Sequence, residues 1–221
     1  MKRLIPILMV VAAGCHSAPS GMIVGSGKLA TRLVKVGPGN EIETIKGVVL
    51  DGAINVQIDG GPQSDVKVEG DDNLIDRVKF VRDGDLIHIG VPGGYSTDIG
   101  LTVRFSNDQI RELRLTGSGQ LTANQISPDS VNVSLDGSGA IKVSGSTKQM
   151  DVQITGSGEI DAKNATCQQA NASITGSGEI RLHAIDSLAA SVSGSGVIRY
   201  QGSPKNLSRS ITGSGTIEAI P

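Results

Sequence analysis

Hydrophobic and polar residues alternate through most of the C-terminal half of the chain, and the alternation is centred on a recurring Gly-Ser-Gly. In the stretch VQITGSGEIDA, residues 152–162, every apolar residue has the same parity as the two glycines. Alternation with a period of two indicates extended chain that buries one face. The stretch therefore predicts two β-strands, before and after the Gly-Ser-Gly, whose apolar side chains point into one interior.

The Gly-Ser-Gly unit occurs six times in this half, at intervals of 18 to 20 residues, which is the range of repeat architectures. No copy contains an inserted residue, which would turn one strand to the opposite face. The segments between copies are rich in turn residues. The pattern predicts an all-β, single-chain β-helix or β-solenoid with 18–20-residue coils marked by Gly-Ser-Gly corners. The first glycines of the six copies are Gly117, Gly137, Gly156, Gly176, Gly194 and Gly213.

At each corner we expect the glycines to face the core, because a larger inward side chain would collide with the opposite wall, and the serine to face solvent. Stacked coils are about 4.8 Å apart, so the serines would form one row. We predict a binding surface made of that row and adjacent outward residues. Its members are Ser118, Ser138, Ser157, Ser177, Ser195, Ser214, Thr155, Glu159 and Glu179.

The N-terminal third is less regular. Residues 22–34 contain a further Gly-Ser-Gly with Leu29 in the same parity, and residues 49–59 look like a degenerate copy shortened by two residues. The Asp83-Gly84 pair between alternating segments predicts a hairpin. We expect residues 60–112 to be irregular strands that cap the first coil of the solenoid.

The first fifteen residues have the order of a secretory signal. Two cations, an apolar run too short to span a bilayer and several small residues precede Cys15. Ala12-Ala13-Gly14-Cys15 resembles the lipobox of bacterial lipoproteins, which implies cleavage before Cys15 and acylation of its sulfur and new amine. Two or more acyl chains make a stable anchor. His16 follows in place of the aspartate of inner-membrane retention, so we expect a location at the outer membrane or its periplasmic face.

These patterns divide the chain into four parts. We predict a lipoprotein signal peptide at 1–14, a lipidated tether at 15–22, an N-terminal β region with degenerate repeats and a cap at 23–112, and the regular repeats at 113–221. Residues 23–221 are expected to form one continuous domain.

Several quoted stretches together carry a family resemblance. GVVLDGAINVQID, DVKVEGDDNLIDRVKF and DGDLIHIGV, followed by tandem Gly-Ser-Gly units, resemble the head GIN domain family over roughly residues 23–220. The resemblance implies a β-helix-like solenoid and a secreted or lipid-anchored bacterial protein. The family is labelled as an autotransporter adhesin and has no established catalytic residues to carry over.

Composition excludes several classes of protein. Aromatic residues make up 2% of the chain and Trp is absent, so the core must be narrow and built from Val, Ile, Leu and Ala. Loss of Lys2 and Arg3 with the signal changes the formal charge from −2 to −4. A mildly acidic chain without basic runs lacks the footprint of a nucleic-acid-binding protein. Cys167, left alone once Cys15 is acylated, cannot form an internal disulfide, and we interpret it as a small buried apolar residue.

Motifs for cofactors and metals fail on spacing. The Gly-Ser-Gly units lack the third glycine of a dinucleotide fingerprint and the Gly-Lys-Ser/Thr of a P-loop. Glu159 and Glu179 could meet on adjacent coils and hold an ion, but we expect two solvated carboxylates. No two histidines have the spacing of metal ligands; they are His16, His88 and His183. We therefore expect no cofactor and no metal.

Two functions remain. The first is a non-enzymatic, lipid-anchored scaffold of the cell envelope whose regular face binds a polysaccharide or a protein. The alternative is a carbohydrate-active enzyme, a polysaccharide lyase or hydrolase on a β-helix, with Asp129, Asp161 and Asp186 as candidate acids. Self-association through the solenoid ends is a further hypothesis, because uncapped solenoids stack, although Pro221 would blunt the last strand.

Overall fold

In a computed structural model, residues 22–37, 42 and 44–221 are described. They form the all-β solenoid that the repeat predicts, with about five turns. Cys15 and the signal peptide lie outside the described residues, so cleavage and lipidation stay predictions. Within the described part of the chain, no helix is long and apolar enough to cross a membrane.

The described residues form strands throughout, with a 3₁₀ turn at Ile75–Arg77 between the fifth and sixth strands. In chain order they are β1 (Ile23–Val24), β2 (Leu29–Val34), β3 (Gly47–Gly52), β4 (Asn55–Asp59), β5 (Val66–Asp71), β6 (Lys79–Asp83), β7 (Leu86–Gly90), β8 (Tyr95–Ser96), β9 (Thr102–Ser106), β10 (Glu112–Gly117), β11 (Gln120–Ile126), β12 (Ser130–Gly137), β13 (Ala140–Gly156), β14 (Glu159–Gly176), β15 (Glu179–Gly194), β16 (Val197–Gln201), β17 (Asn206–Gly213) and β18 (Thr216–Ala219).

Each regular coil contributes to two parallel faces. We call the strands that precede the corner the front sheet, which runs through β6, β7, β3, β10, β12, the second halves of β13 to β15, and β17. The strands that follow the corner form the back sheet, which runs through β2, β5, β9, β4, β11, the first halves of β13 to β15, β16 and β18. The long strands belong to both sheets because they continue through the turn opposite the corner.

The core lies between the two sheets and consists of stacked apolar rows. One row of the back sheet is Leu121, Ile141, Ile160, Ile180, Ile198 and Ile217, paired in register from coil to coil. All six are buried. Burying one such side chain contributes roughly 1.5–3 kcal/mol relative to leaving it exposed. The parity of the repeat therefore defines the core, and the small aromatic content suits its narrow cross-section.

The corner differs from expectation in what surrounds the glycines. The first glycine of each unit has a φ between +114 and +128°, a conformation that side chains rarely adopt. A Cβ on the second glycine, Gly158, would lie 2.6 Å from the carbonyl oxygen of Gly139 and would also contact Leu135. Leu135 belongs to the front sheet, so a side chain on the second glycine would meet the opposite wall, as predicted. The prediction missed the backbone of the preceding coil, whose glycine carbonyl is just as close.

Residues 49–59 form a coil of full length, so the predicted shortening by two residues is wrong. Gly52 pairs with Gly117 and Asn55 pairs with Gln120, which leaves no gap at the corner. Ile54 stands where the other coils have the second glycine. It fits because the coil beneath, made of β7 and β9, has a long connection at 91–101 in place of a tight corner.

Residues 60–112 cap the solenoid, as predicted. The first coil consists of β3 and β4, and the chain then forms β5 and β6. After these, β7 and β9 form a coil on one side of the first coil, pairing with β3 and β4 respectively. β10 then pairs with β3 on its other side, and the regular repeats follow. β6 pairs antiparallel with β7 through a hairpin whose turn contains Gly84 at φ +61°, as the Asp-Gly pair predicts. β2 and β5 close the back sheet antiparallel.

The Gly-Ser-Gly at 25–27 is not a solenoid corner. β2 pairs antiparallel with β5, so the phase of the strand changes and Leu29 is 73% exposed. Asp71, fully buried, accepts a 2.6 Å hydrogen bond from the amide of Gly27, and Asn73 Oδ1 accepts one of 3.0 Å from the amide of Ser26. These bonds attach the N-terminal segment to the cap.

Candidate functional site

The predicted serine row exists at the corner. All six side chains are exposed, and each backbone N–H donates to the first glycine of the preceding coil, as in Ser157 to Gly137 at 3.0 Å. Within the described part of the chain, none of the six hydroxyls has a protein hydrogen-bond partner. The row is about 24 Å long at the usual strand spacing.

A second row runs beside it, one residue before each first glycine. Thr155, the member predicted from the sequence, pairs with Asp136 on one side and Thr175 on the other. All side chains of this row are exposed. The row consists of Thr116, Asp136, Thr155, Thr175, Ser193 and Thr212.

The front sheet carries a shallow open groove of about 650 Å³ that was not predicted. Small polar residues, valines and alanines line it together with Glu112 and Arg114, and no aromatic ring is among them. Asn171 Nδ2 donates a 2.6 Å hydrogen bond to Asp151 Oδ1 across adjacent coils. Two in-register rows supply most of the lining: Asn132, Asp151, Asn171 and Ala189, and Ser134, Gln153, Ser173, Ser191 and Ser210.

The groove and the two corner rows adjoin, because they occupy successive outward positions of the same strands. We call them together the hydroxyl face. Strand parity identifies every one of these residues as outward, but it cannot tell which outward positions line a groove. Small polar residues recur one, three and five residues before the first glycine of most units, as in Thr175, Ser173 and Asn171, and this repetition is the sequence signal that indicates the groove.

Glu159 and Glu179 do meet on adjacent coils, but an arginine joins them. Arg181 contacts Glu159 at 2.6 Å and Glu179 at 2.7 Å, and Arg199 contacts Glu179 at 2.5 Å and Glu218 at 2.7 Å. The hydrogen bonds that Arg199 donates to Glu179 and, second in effect, to Glu218 raise the pKa of its guanidinium. The expectation of two merely solvated carboxylates is wrong, because both take part in this ladder on the back sheet.

The ladder also removes the ion-binding hypothesis for that pair. A guanidinium occupies the position between the two carboxylates that a cation would need. Among the described residues, no group of three or more His, Cys, Asp or Glu side chains could hold a metal ion. His183 and His88 stand apart, the latter 3.1 Å from Asp51, and His16 lies outside the described residues.

The candidate acids of the enzyme alternative are separated. Each aspartate pairs with a different lysine. Asp129 pairs with Lys148 at 2.9 Å. Asp161 pairs with Lys163, and Asp186 with Lys205, each at 3.7 Å. No two of the three share a contact in the described chain, so the geometry gives the enzyme alternative no support.

Cys167 is fully buried on β14, as a small apolar residue would be. Its Sγ donates to the carbonyl oxygen of His183 at 3.2 Å. Burial raises the pKa of the thiol to about 11, which leaves it protonated at neutral pH.

The fold and its surface define the class of this protein, a parallel β-solenoid with one regular polar face. The chain belongs to the family described as "putative auto-transporter adhesin, head GIN domain", whose sequence model matches residues 45–204. The resemblance to that family is therefore confirmed. No curated protein sequence matches the chain.

Solved structures share the fold at low identity. A "putative adhesin" from Bacteroides fragilis is 20% identical, covers 90% of this chain and 100% of its own, and has a TM-score of 0.70. A "putative adhesin" from Parabacteroides distasonis is 23% identical with the same coverage and a TM-score of 0.57. A "putative lipid binding protein" from the same organism is 22% identical, with 90% and 100% coverage and a TM-score of 0.53.

Proposed function

We propose that this protein is a lipid-anchored adhesion or binding scaffold of the cell envelope, and that its hydroxyl face binds an extended polymer. The observation that carries the proposal is the in-register repetition of that face. The corner serine recurs in each of the six regular coils, about 4.8 Å apart, with small polar residues beside it in most of them, which suits a ligand that is itself a repeat.

The chemistry of the face favours a polysaccharide over nucleic acid. Hydroxyl and amide groups supply most of the polar lining of the groove, and its few charges include the Glu112–Arg114 pair at 2.6 Å. Such groups donate and accept hydrogen bonds without demanding an opposite charge. The mature chain also lacks the basic surface that phosphates require.

Two lines of support concern the place of action. The family description and the names of the structural relatives are those of adhesins, which act at cell surfaces. The lipobox resemblance at Cys15 supplies an anchor, and His16 favours the outer membrane over the inner one. The anchor would hold the solenoid at the membrane while leaving its long polar face open.

A binding assay tests the proposal. The mature protein is passed over a panel of immobilised envelope polysaccharides and envelope proteins, beside two matched variants. Ser191→Arg puts a bulky charge in the groove, and Thr122→Arg puts the same group on the back sheet. We expect the groove variant to lose at least about tenfold in affinity, or about 1.4 kcal/mol, and the control to bind like the wild type.

Two results would overturn the proposal. One is the absence of binding to any member of the panel. The other is an equal loss in both variants, which would mean that the substitution acts on folding or that the ligand uses another surface.

A further inference from the structure

We infer that the ligand of the hydroxyl face is a neutral, unbranched glycan of β-1,4-linked pyranoses, and that it lies along the axis of the solenoid with about one sugar to each coil. The inference deepens the proposed function and rests on it, because it concerns the same face. It adds the direction of the ligand, its length at the site and its linkage.

The groove on the front sheet is long across the coils and short along each strand. Six neighbouring strands line it, each with two outward residues that stand two positions apart. Five steps between strands give a length of about 24 Å, whereas two positions along a strand give about 7 Å. A chain that ran along one strand would leave most of the groove empty, so the shape favours a chain that crosses the coils. The six strands are, in order, β10, β12, β13, β14, β15 and β17.

The fold sets the length of the groove at both ends. At one end its two rows of outward residues reach Glu112 and Arg114 on β10, which pair with each other at 2.6 Å. Next in register are Gly47 and Val49 of β3, which have no polar side chain. At the other end β17 is the last strand of the front sheet and supplies the final pair of serines. The groove therefore offers six successive positions to a ligand.

One row of the groove consists of hydrogen-bonding groups that the protein itself does not use. Beyond Arg114, no side chain of this row hydrogen-bonds to another described residue. Hydroxyl and amide groups can both donate and accept hydrogen bonds, as the hydroxyls of sugars do. The row consists of Ser134, Gln153, Ser173, Ser191 and Ser210, paired in register from coil to coil.

The charge of the groove favours a neutral chain. Glu112 and Arg114 neutralise each other, and Asp151 accepts its hydrogen bond from the uncharged Asn171. Among the described residues that line the groove, no cation is left for the carboxylates or phosphates of an acidic polymer. Asp151 would repel such groups, because like charges at close range raise the energy of the complex.

The spacing of the coils favours a straight ribbon. Equivalent groups of the row recur about every 4.8 Å. A β-1,4-linked chain of pyranoses is extended and advances by about one ring per sugar, which is close to that spacing, so successive sugars would meet equivalent groups. An α-1,4-linked chain curves into a helix and would leave the row after a few sugars.

Calorimetric titration with oligosaccharides of increasing length tests the length and the linkage. The probes are β-1,4-linked oligomers of glucose and of N-acetylglucosamine, from the dimer to the octamer. For at least one series we expect the affinity to rise with each added sugar and to level off at about six, with a gain of at least about tenfold from trimer to hexamer. Maltohexaose, the α-1,4-linked control, is expected to bind at least about tenfold more weakly than the better β-1,4-linked hexamer.

Matched substitutions within one row test the direction. Ser173→Arg blocks the fourth of the six strands, and Ser210→Arg blocks the last. For a chain along the axis, the affinity for the hexamer is expected to fall to that of the wild-type trimer in Ser173→Arg, but only to that of the pentamer in Ser210→Arg. Thr122→Arg on the back sheet is the control. Ser173→Glu replaces Ser173→Arg if urea denaturation shows that the arginine variant does not fold.

The outcomes separate this inference from the proposed function. An affinity that levels off at the dimer or trimer, with Ser210→Arg unchanged, would mean that the chain lies along a strand and would overturn the inference. Equal binding of maltohexaose would overturn the ribbon. If neither series binds but the panel of envelope polysaccharides and proteins contains a ligand, the proposed function stands and the inference is wrong. If the panel contains none, both fail.

Discussion

Arg209 closes the C-terminal end of the core through Tyr200. Its Nη2 donates a 2.6 Å hydrogen bond to the Tyr200 hydroxyl, and its guanidinium lies over the same ring, 5.5 Å from the centroid. Arg209 pairs in register with Ala190, so it occupies a position that is apolar in the preceding coil. The last coil thus places a charge where another coil would otherwise stack.

We predict that Arg209→Leu promotes end-to-end association. Leu207 and Ile211 on the same strand are already 38% and 47% exposed, and the substitution would complete an apolar edge with free backbone groups. Sedimentation velocity is expected to show a mass that rises with concentration for Arg209→Leu and less so for Arg209→Lys. A variant that sediments like the wild type at every concentration would show that other features, such as Pro221, protect this end.

The corner glycines give a second prediction. Gly158→Ala places a methyl group against Gly139 and Leu135, so we expect it to lower the free energy of unfolding by about 1–3 kcal/mol. Ser157→Ala, its exposed neighbour, is the control and is expected to change stability by no more than about 0.5 kcal/mol. Urea denaturation measures both, and equal effects would mean that the glycines are not required for close packing.

The sequence predicts the structure well where a residue contacts its equivalents in adjacent coils, and poorly where it contacts residues of distant segments. Within the regular repeats each residue meets its own equivalent, so parity alone places Ile160 in the core and Ser157 in solvent. At the N-terminal end the neighbours come from distant segments. Ile54 is accommodated by strands that follow it by some thirty residues or more, and Leu29 is turned outward by β5. No local pattern carries that information.

The sequence predicted the part of the candidate site that depends on parity alone. The serine row follows from parity, whereas the groove depends on which outward side chains of adjacent coils leave space between them. The arginine ladder could have been predicted. Arg181 stands two residues after Glu179, and Glu159 occupies the position of Glu179 one repeat earlier, so Arg181 lies within reach of both carboxylates. Charges on adjacent coils have to be compared across the repeat, not along the chain.

Acid is expected to weaken the cap through Glu69. A hydrogen bond from Lys67 at 2.8 Å, with the further charge of Arg104, holds the pKa of this carboxyl below its ordinary value of 4.5. A lowered folded-state pKa contributes stability that is present at higher pH and is lost as the pH falls through that value. Stability measured at decreasing pH below about 4.5 is expected to fall less steeply in Glu69→Gln than in the wild type. Parallel curves would contradict this role.

Burial of Cys167 predicts an unreactive thiol. In the mature chain with Cys15→Ser, a disulfide reagent at neutral pH is expected to leave Cys167 unmodified in the native state and to modify it after unfolding in urea, because the thiolate is the reactive form. Rapid modification of the native protein would show that β14 opens locally.

The most direct test of the binding face is to map the ligand onto the protein by NMR. An isotope-labelled mature chain with Cys15→Ser is titrated with the polysaccharide that the binding assay retains, and backbone amide shifts are followed. We predict that the largest changes fall on the front sheet, at Asn171, Ser173 and Ser191, and continue to Thr155 at the corner. Changes confined to the back sheet around Arg181 and Arg199, with the front sheet unmoved, would contradict the account.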